Sequence, residues 1–122
     1  VLLVEDDAAV RAVTEGLLTD LGCHVEGAPD GPSALARLQN GDNFDLLISD
    51  IVMPGGMSGV ELAKAAQARA PNLPIVLTTG YGGERLSEGA EALVWPLLRK
   101  PFRAEQLSQA VRKALERSRE IA

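Results

Sequence analysis

Short apolar runs alternate along the chain with segments in which apolar residues recur every three or four positions. The strongest apolar runs cover residues 1–4, 44–49 and 75–79, and weaker runs cover 23–28 and 97–99. Predominantly apolar runs of this length, bounded by turn residues, are typical of strands that are buried on both faces of a parallel sheet. The pattern therefore predicts five strands, the second of them nearer an edge because its apolar character is weaker.

The segments between these runs predict helices. The helix expected after the first strand has an apolar face formed by Val10, Val13, Thr14, Leu17, Leu18 and Leu21. Further helices are expected from Asp30, from Ser58 to about residue 69, within 84–92 and over 104–117, and the glycine-rich 84–92 segment is the weakest of these. Strands that alternate with helices in this way predict an α/β domain, in which helices cover both faces of a parallel sheet.

Length and charge narrow the function classes. The 122 residues suffice for one domain with a substantial core, and we expect a single domain over residues 1–122. The formal net charge of −5 argues against general binding of nucleic acid, which needs clustered lysine and arginine. No apolar run reaches membrane-spanning length, and the single cysteine, Cys23, excludes an internal disulfide. These features favour a reducing, cytoplasmic setting.

Polar side chains mark the carboxyl ends of four predicted strands. Glu5 and Asp6 follow the first strand, and Asp50 follows the third. Thr78 and Thr79 end the fourth strand, and only one of them can face the site because side chains alternate along a strand. Lys100 follows the fifth strand. Open parallel sheets bind ligands just beyond the carboxyl ends of their strands. If the first and third strands are neighbours, about 4.8 Å apart, their acids converge beside the threonine and the lysine.

This combination of groups points to phosphoryl transfer. Clustered carboxylates repel one another unless cations or protons neutralise them, and Mg²⁺ favours carboxylate oxygens together with water and phosphate. A lysine and a threonine hydroxyl supply the charge and the hydrogen-bond donor that a phosphoryl group needs, so Asp50 becomes the candidate nucleophile. From the residues alone, Asp50 could instead cap the following turn, and Asp7 could either cap the first helix or belong to the site.

Four motifs occur in order at the strand ends: Val4-Glu5-Asp6-Asp7, Ser49-Asp50-Ile51-Val52-Met53-Pro54, Thr79-Gly80 and Lys100-Pro101-Phe102. Together they resemble the response-regulator receiver domains of two-component signalling, and the resemblance covers essentially the whole chain. It implies a flavodoxin-like (βα)5 fold, a three-layer sandwich whose parallel five-stranded sheet has the order 2-1-3-4-5. It also implies a function in phosphorelay signal transduction, in which phosphorylation switches the conformation of the domain.

The resemblance implies a role for each polar residue around the acceptor. Asp50 would take a phosphoryl group from a histidine kinase or a histidine phosphotransfer protein. Thr79 would hydrogen-bond that group, and Lys100 would pair with it. The peptide bond between Lys100 and Pro101 is expected to be cis.

The resemblance also implies a Mg²⁺ site, for which Mn²⁺ is the alternative ion. Asp6 would bind the ion directly and Glu5 would bind it through a water molecule. Asp50 and the backbone carbonyl of Val52 would complete the protein ligands. No other cofactor is expected.

Three features depart from the common family pattern. The helix within 84–92, which in the family often belongs to the signalling face, is glycine-rich and poorly specified. Leu97 stands three positions before the lysine, where the family usually has an aromatic residue that couples threonine movement to the output face. The loop after Asp50 is one residue longer than usual. This loop, the Thr79-Gly80-Tyr81 run and the 97–102 segment look most like receivers that are fused to bacterial hybrid sensor histidine kinases. A stand-alone single-domain regulator is the alternative.

The expected partner is the phosphodonor, with a weak homodimer as an additional assembly. We expect no direct contact of this domain with nucleic acid or membrane, and a cytoplasmic location, either free or as the cytoplasmic portion of a membrane-anchored kinase. The domain is expected not to be an enzyme beyond catalysing its own phosphorylation and dephosphorylation.

Two other functions compete with the phosphorylated switch. A phosphatase that works through an aspartyl phosphate usually carries a second acid two residues after the nucleophile, where this chain has Val52. A receiver that binds partners without phosphorylation is the remaining alternative. The complete set of acids, together with Thr79 and Lys100, argues against it.

Overall fold

The computed structural model describes residues 1–41, 44–52, 57–80, 95–100 and 102–121, with side chains described up to residue 116. Three expectations from the sequence lie outside the described residues. They are the helix within 84–92, most of the lengthened loop at 53–56 and the peptide bond to Pro101.

Five strands and four helices lie within the described residues. The strands are β1 (Leu2–Val4), β2 (Glu26–Ala28), β3 (Leu47–Asp50), β4 (Ile75–Thr79) and β5 (Leu97–Arg99). The helices are α1 (Ala8–Asp20), α2 (Gly31–Gln39), α3 (Gly59–Arg69) and α4 (Ala104–Ile121).

Several boundaries differ from the expected ones. β1 begins at Leu2 rather than at residue 1, β2 begins at Glu26 rather than at residue 23, and β3 ends at Asp50 rather than at residue 49. β3 begins at Leu47 rather than at residue 44, because its neighbour β1 begins at Leu2, which is the register partner of Leu47. The last helix continues to Ile121 rather than ending at residue 117, since no glycine or proline interrupts it there.

The strands form one parallel sheet in the order β2-β1-β3-β4-β5, which confirms the predicted fold class. In its register, Asp50 lies opposite Thr78 of β4, and Thr79 lies opposite Arg99 of β5. The carboxyl ends of β1, β3, β4 and β5 therefore meet at one edge of the sheet.

Side chains fix the start of the two helices that follow β1 and β3. Asp7 accepts hydrogen bonds from the backbone N–H groups of Ala9 and Val10, so it serves as the N-cap of α1. At the start of α3, the Glu61 N–H donates to Ser58 Oγ at 3.1 Å, and the Ser58 N–H donates to Glu61 Oε1 at 3.3 Å. This reciprocal capping box is the one that the spacing of the two residues predicts.

Two apolar clusters cover the two faces of the sheet. Leu2 and Val4 point into a cluster with Leu62 of α3, whereas Leu3 points into a second cluster with Leu107 of α4. Successive strand residues face opposite sides, so the three-residue strand β1 serves both clusters. Helices α2 and α3 pack on one face, and α1 and α4 pack on the other.

The apolar face of α1 is narrower than the sequence suggests. Thr14 and Leu18 are buried, whereas Val13 is 65% exposed and Leu21 is exposed as well. Adjacent helix positions are about 100° apart, so Val13 lies on the flank of the stripe that Thr14 and Leu18 define.

Among the helices that the structure describes, none has both the length and the apolar character to cross a bilayer.

Candidate functional site

The polar residues expected at the strand ends come together at one edge of the sheet. Glu5 follows β1 directly, Asp50 is the last residue of β3, and Lys100 follows β5 directly. Glu5 and Asp50 are buried, with 4% and 7% of their surface exposed. Lys100 is half-buried, and its side chain reaches past the end of β4 to both acids.

The Lys100 ammonium joins the two buried carboxylates. Its Nζ atom donates hydrogen bonds to Asp50 Oδ2 at 3.0 Å and to Glu5 Oε2 at 2.5 Å. Two carboxylates on neighbouring strands repel each other, and a cation between them offsets that repulsion. Charge-assisted hydrogen bonds of this kind also fix the position of the flexible lysine side chain.

Three carboxylates form a cluster of oxygen ligands. One carboxylate oxygen from each of Glu5, Asp6 and Asp50 lies within 4.8 Å of the other two. Asp6 is exposed, so the cluster is open to solvent at Asp6. Within the described part of the chain, Oδ1 of Asp50 is buried and accepts no hydrogen bond. An unpaired buried acceptor is costly, and a bound cation would satisfy it. An all-oxygen donor set of this charge fits a hard divalent ion such as Mg²⁺.

Burial and pairing shift the pKa values of Glu5 and Lys100. Desolvation raises the pKa of Glu5, although hydrogen bonds from Lys100 and from the Asp7 backbone act against the rise. Desolvation alone would lower the pKa of Lys100, but its hydrogen bonds to Glu5 and Asp50 outweigh it, and the pKa is raised. The lysine therefore stays charged at neutral pH, and its stabilising contribution is lost only as the pH rises through this raised value.

Arg11 supports the site, and sequence reasoning missed it. Its Nη1 atom donates to the backbone carbonyl of Glu5 at 2.7 Å, while the Asp7 N–H donates to Glu5 Oε1 at 3.2 Å. Both the backbone and the side chain of Glu5 are thus held. The sequence places Arg11 one helical turn after the Asp7 cap, close to the end of β1. That its side chain reaches the Glu5 carbonyl becomes evident only when α1 is placed over β1.

Three further positions were expected to matter. The backbone carbonyl of Thr79, which is buried, accepts a hydrogen bond from the Lys100 N–H at 2.7 Å, so the end of β4 and the lysine backbone are joined. Val52, two residues beyond Asp50, is 44% exposed, and Leu97 on β5 is 39% exposed. The roles expected for the Thr79 hydroxyl and the Val52 carbonyl stay predictions.

An apolar groove of about 510 Å³ opens beside the cluster. It runs between α1 and the residues that follow β4 and β5, and the exposed side chain of Val13 lies along it. Its lining comprises Ala9, Val10, Val13, Thr14, Leu17, Gly80, Lys100 and Phe102. Because Lys100 belongs to both the groove and the acid cluster, a partner in the groove would lie next to the carboxylates.

Comparison with known proteins agrees with this geometry. The family of the response regulator receiver domain matches residues 1–112. The chemotaxis protein CheY of Pseudomonas aeruginosa is 37% identical over 121 residues, which cover 96% of this chain and 96% of that protein. The sensor kinase CckA of Brucella abortus is 33% identical over 119 residues, which cover 96% of this chain but 12% of that protein. The crystal structure of a response regulator receiver protein from Sinorhizobium medicae aligns with a TM-score of 0.86 at 30% identity, covering 96% of this chain and 94% of that one. The chain therefore belongs to the family of response regulator receiver domains of two-component signalling.

Proposed function

We propose that the domain, over residues 1–122, is a phosphorylation-controlled switch in which Asp50 takes a phosphoryl group from a phosphohistidine donor. The observation that carries this proposal is the state of the Asp50 carboxylate. One of its oxygens is held by Lys100 at 3.0 Å, and the other is buried without a hydrogen-bond partner among the described residues. A carboxylate that is fixed, paired with a cation and only partly satisfied is suited to attack phosphorus and to form an acyl phosphate.

Receiver domains generally bind Mg²⁺ through an acidic cluster, and we propose that Glu5, Asp6 and Asp50 hold the ion here, with the Val52 carbonyl as a further ligand. Mn²⁺ prefers the same oxygen ligands and is the alternative. The ion supplies positive charge that offsets the charge on the transferred phosphoryl oxygens. The three carboxylates are already grouped, and the open side at Asp6 gives the ion a path from solvent.

Lys100 and Thr79 would act on the phosphoryl group itself. When Asp50 bonds to phosphorus, its negative charge moves outward onto the phosphoryl oxygens, and the ammonium at 3.0 Å can follow that charge with a small side-chain movement. The Thr79 hydroxyl would donate a hydrogen bond to the same group. Such a phosphate adds about two negative charges, and this change would favour one arrangement of the strand-end loops over another.

The reaction would be limited to the domain's own aspartate, with no turnover of a separate substrate. Hydrolysis of the acyl phosphate needs an activated water, and the exposed Val52 offers no acid or base where aspartyl-phosphate phosphatases usually carry one. Receiver domains interact with histidine kinases, and we propose that a kinase or a histidine phosphotransfer protein is the partner. The apolar groove beside Lys100 supports docking of such a donor next to Asp50.

For the parent protein we propose a hybrid sensor histidine kinase, with a stand-alone regulator as the alternative. The similarity to a segment of a sensor kinase supports the first architecture, and the similarity to CheY along its whole length supports the second. In either case we place the domain in the cytoplasm, without direct contact to nucleic acid or membrane and with at most a weak homodimer.

Incubation with acetyl phosphate tests the proposal directly. We expect intact-mass measurement to find one added phosphoryl group per chain when Mg²⁺ is present and none when a chelator removes it. The modification should be lost on treatment with hydroxylamine, which cleaves acyl phosphates. If the chain takes up no phosphoryl group from either acetyl phosphate or a panel of phosphorylated histidine proteins, the phosphorylation-independent receiver becomes the better reading.

The cation site can be tested with a pair of neighbouring acids. Asp6→Asn is expected to weaken Mg²⁺ binding by at least about 30-fold, because even groups that only support metal ligands contribute 10- to 100-fold. Asp7→Asn removes the same charge one residue away but keeps the helix cap, since asparagine caps as well as aspartate. We expect it to change the affinity by less than about threefold in calorimetric titration. Equal weakening in both variants would mean that general charge, and not ligation by Asp6, sets the affinity.

A further inference from the structure

The first turn of α3 lies directly against the backbone of Asp50. Gly59 begins this helix and is buried. A Cβ atom at this position would overlap the carbonyl oxygen of Asp50 and would lie 2.8 Å from the Cα atom of Ile51. Both neighbours are backbone atoms, which cannot swing away as a flexible side chain could. The close approach therefore depends on the absence of a side chain at Gly59.

Hydrogen bonds hold the same backbone in place. The Gly59 N–H donates to the Ile51 carbonyl at 2.8 Å, and the Ile51 N–H donates to the Thr78 carbonyl at 2.9 Å. The Ser49 hydroxyl donates to the Asp50 carbonyl at 3.0 Å. The two peptide groups that follow Asp50 are thus fixed between β4 and the start of α3. The next carbonyl along the chain is that of Val52.

We propose that Gly59 is a positioning residue for the acceptor site. It touches neither the phosphoryl group nor the cation, and it acts through the backbone that carries the Asp50 carboxylate and the Val52 carbonyl. The inference rests on the proposed function. Its structural content is that the start of α3, which contacts the backbone of Asp50 and Ile51 through Gly59, sets where these two oxygen ligands stand relative to Glu5 and Lys100.

A methyl group at Gly59 tests the inference, because it would push the Asp50 peptide away from α3. We expect Gly59→Ala to weaken Mg²⁺ binding at least tenfold and to slow phosphoryl uptake from acetyl phosphate at least tenfold. Two controls separate positioning from stability. Gly16→Ala adds a methyl group that, apart from the backbone of its own helix, meets no atom of the described residues within 4 Å. Ser58→Ala removes the α3 cap without touching the Asp50 backbone. Both controls should stay within twofold of the wild type in Mg²⁺ affinity and in uptake, although Ser58→Ala lowers the melting temperature.

A measurement on the unaltered chain keeps the inference testable if Gly59→Ala does not fold. Coupling between two sites is reciprocal, so a contact that positions the cation ligands must itself be stabilised when the cation binds. We expect Mg²⁺ to slow hydrogen exchange of the Gly59 amide at least threefold more than that of Leu62, whose N–H bonds to Ser58 within the same helix.

The outcomes distinguish the inference from the proposed function. Equal slowing of the Gly59 and Leu62 amides would overturn the positioning role, as would a folded Gly59→Ala variant that binds Mg²⁺ like Ser58→Ala. Both results presuppose a wild type that binds Mg²⁺ and takes up phosphoryl groups. A wild type that does neither would instead contradict the proposed function, and with it the inference.

Discussion

Asp50→Asn is expected to abolish phosphoryl uptake while leaving the fold intact. The amide oxygen lacks the negative charge that lets a carboxylate attack phosphorus, and no second acid lies on β3 to replace it. Asparagine keeps the shape of the side chain, and Lys100 keeps its hydrogen bond to Glu5. We therefore expect the free energy of unfolding to change by no more than about 3 kcal/mol, the upper end of the range for one charge-assisted hydrogen bond.

Intact mass after incubation with acetyl phosphate and Mg²⁺ measures the first effect, and thermal unfolding measures the second. Asp45→Asn is the matched control, because it removes one exposed carboxylate just before the same strand. It should take up phosphoryl groups like the wild type. Uptake by Asp50→Asn at the wild-type level would place the acceptor elsewhere, and the first residues to examine would then be the other acids of the cluster.

Lys100→Met is expected to change cation binding and phosphoryl transfer in opposite directions. The ammonium now bonds to the same carboxylates that would hold Mg²⁺, so the two cations compete for Glu5 and Asp50. Charges of +2 and +1 about 5 Å apart repel by about 1.7 kcal/mol even in water-like surroundings. Removing the lysine should therefore tighten Mg²⁺ binding by at least about tenfold. Phosphoryl uptake should fall by about 10²-fold or more, because one donor aimed at the transferred oxygens is lost.

Calorimetric titration and the rate of mass gain together test this pair of effects. Lys100→Arg is the matched control, because it keeps the charge and should leave the Mg²⁺ affinity within about threefold of the wild type. We also expect Mg²⁺ to raise the melting temperature more in Lys100→Met than in the wild type, since the two buried carboxylates then lack their cation. Weaker Mg²⁺ binding in Lys100→Met would show that the lysine organises the cation site rather than competing for it.

The sequence predicted the strands from their apolar runs, and β4 has the expected bounds because Ile75–Thr79 lies between a proline turn and a glycine. The spacing of the strands could not predict their order, because the apolar pattern of a strand does not depend on which strands are its neighbours. The order was predicted from the family resemblance. The flank of α1 was predicted incorrectly at Val13. A helical pattern locates the centre of an apolar stripe, but the depth of packing at its edge depends on neighbours that the pattern does not contain.

The sequence predicted some residues of the site and missed others. The acids and Lys100 were predicted because polar residues at the ends of buried strands have no packing role there. Arg11 and Gly59 were not predicted, because their importance lies in where they touch the backbone: Arg11 at the Glu5 carbonyl and Gly59 at the Asp50 carbonyl. Such contacts follow from the placement of α1 and α3 on the sheet, which sequence periodicity does not determine.

The hydrogen bond between Glu5 and Lys100 spans 95 residues of the chain. Synthesis at about 5–20 residues per second would therefore complete the acidic end of β1 on the order of 5–20 s before the lysine that neutralises it exists. During that interval, an early pairing of β1 with β3 would bring Glu5 towards Asp50 with no ammonium between them. Repulsion between the two carboxylates thus disfavours a sheet that lacks β5. The last strand to be synthesised brings Lys100, and this lysine offsets the repulsion between the acids at the ends of β1 and β3.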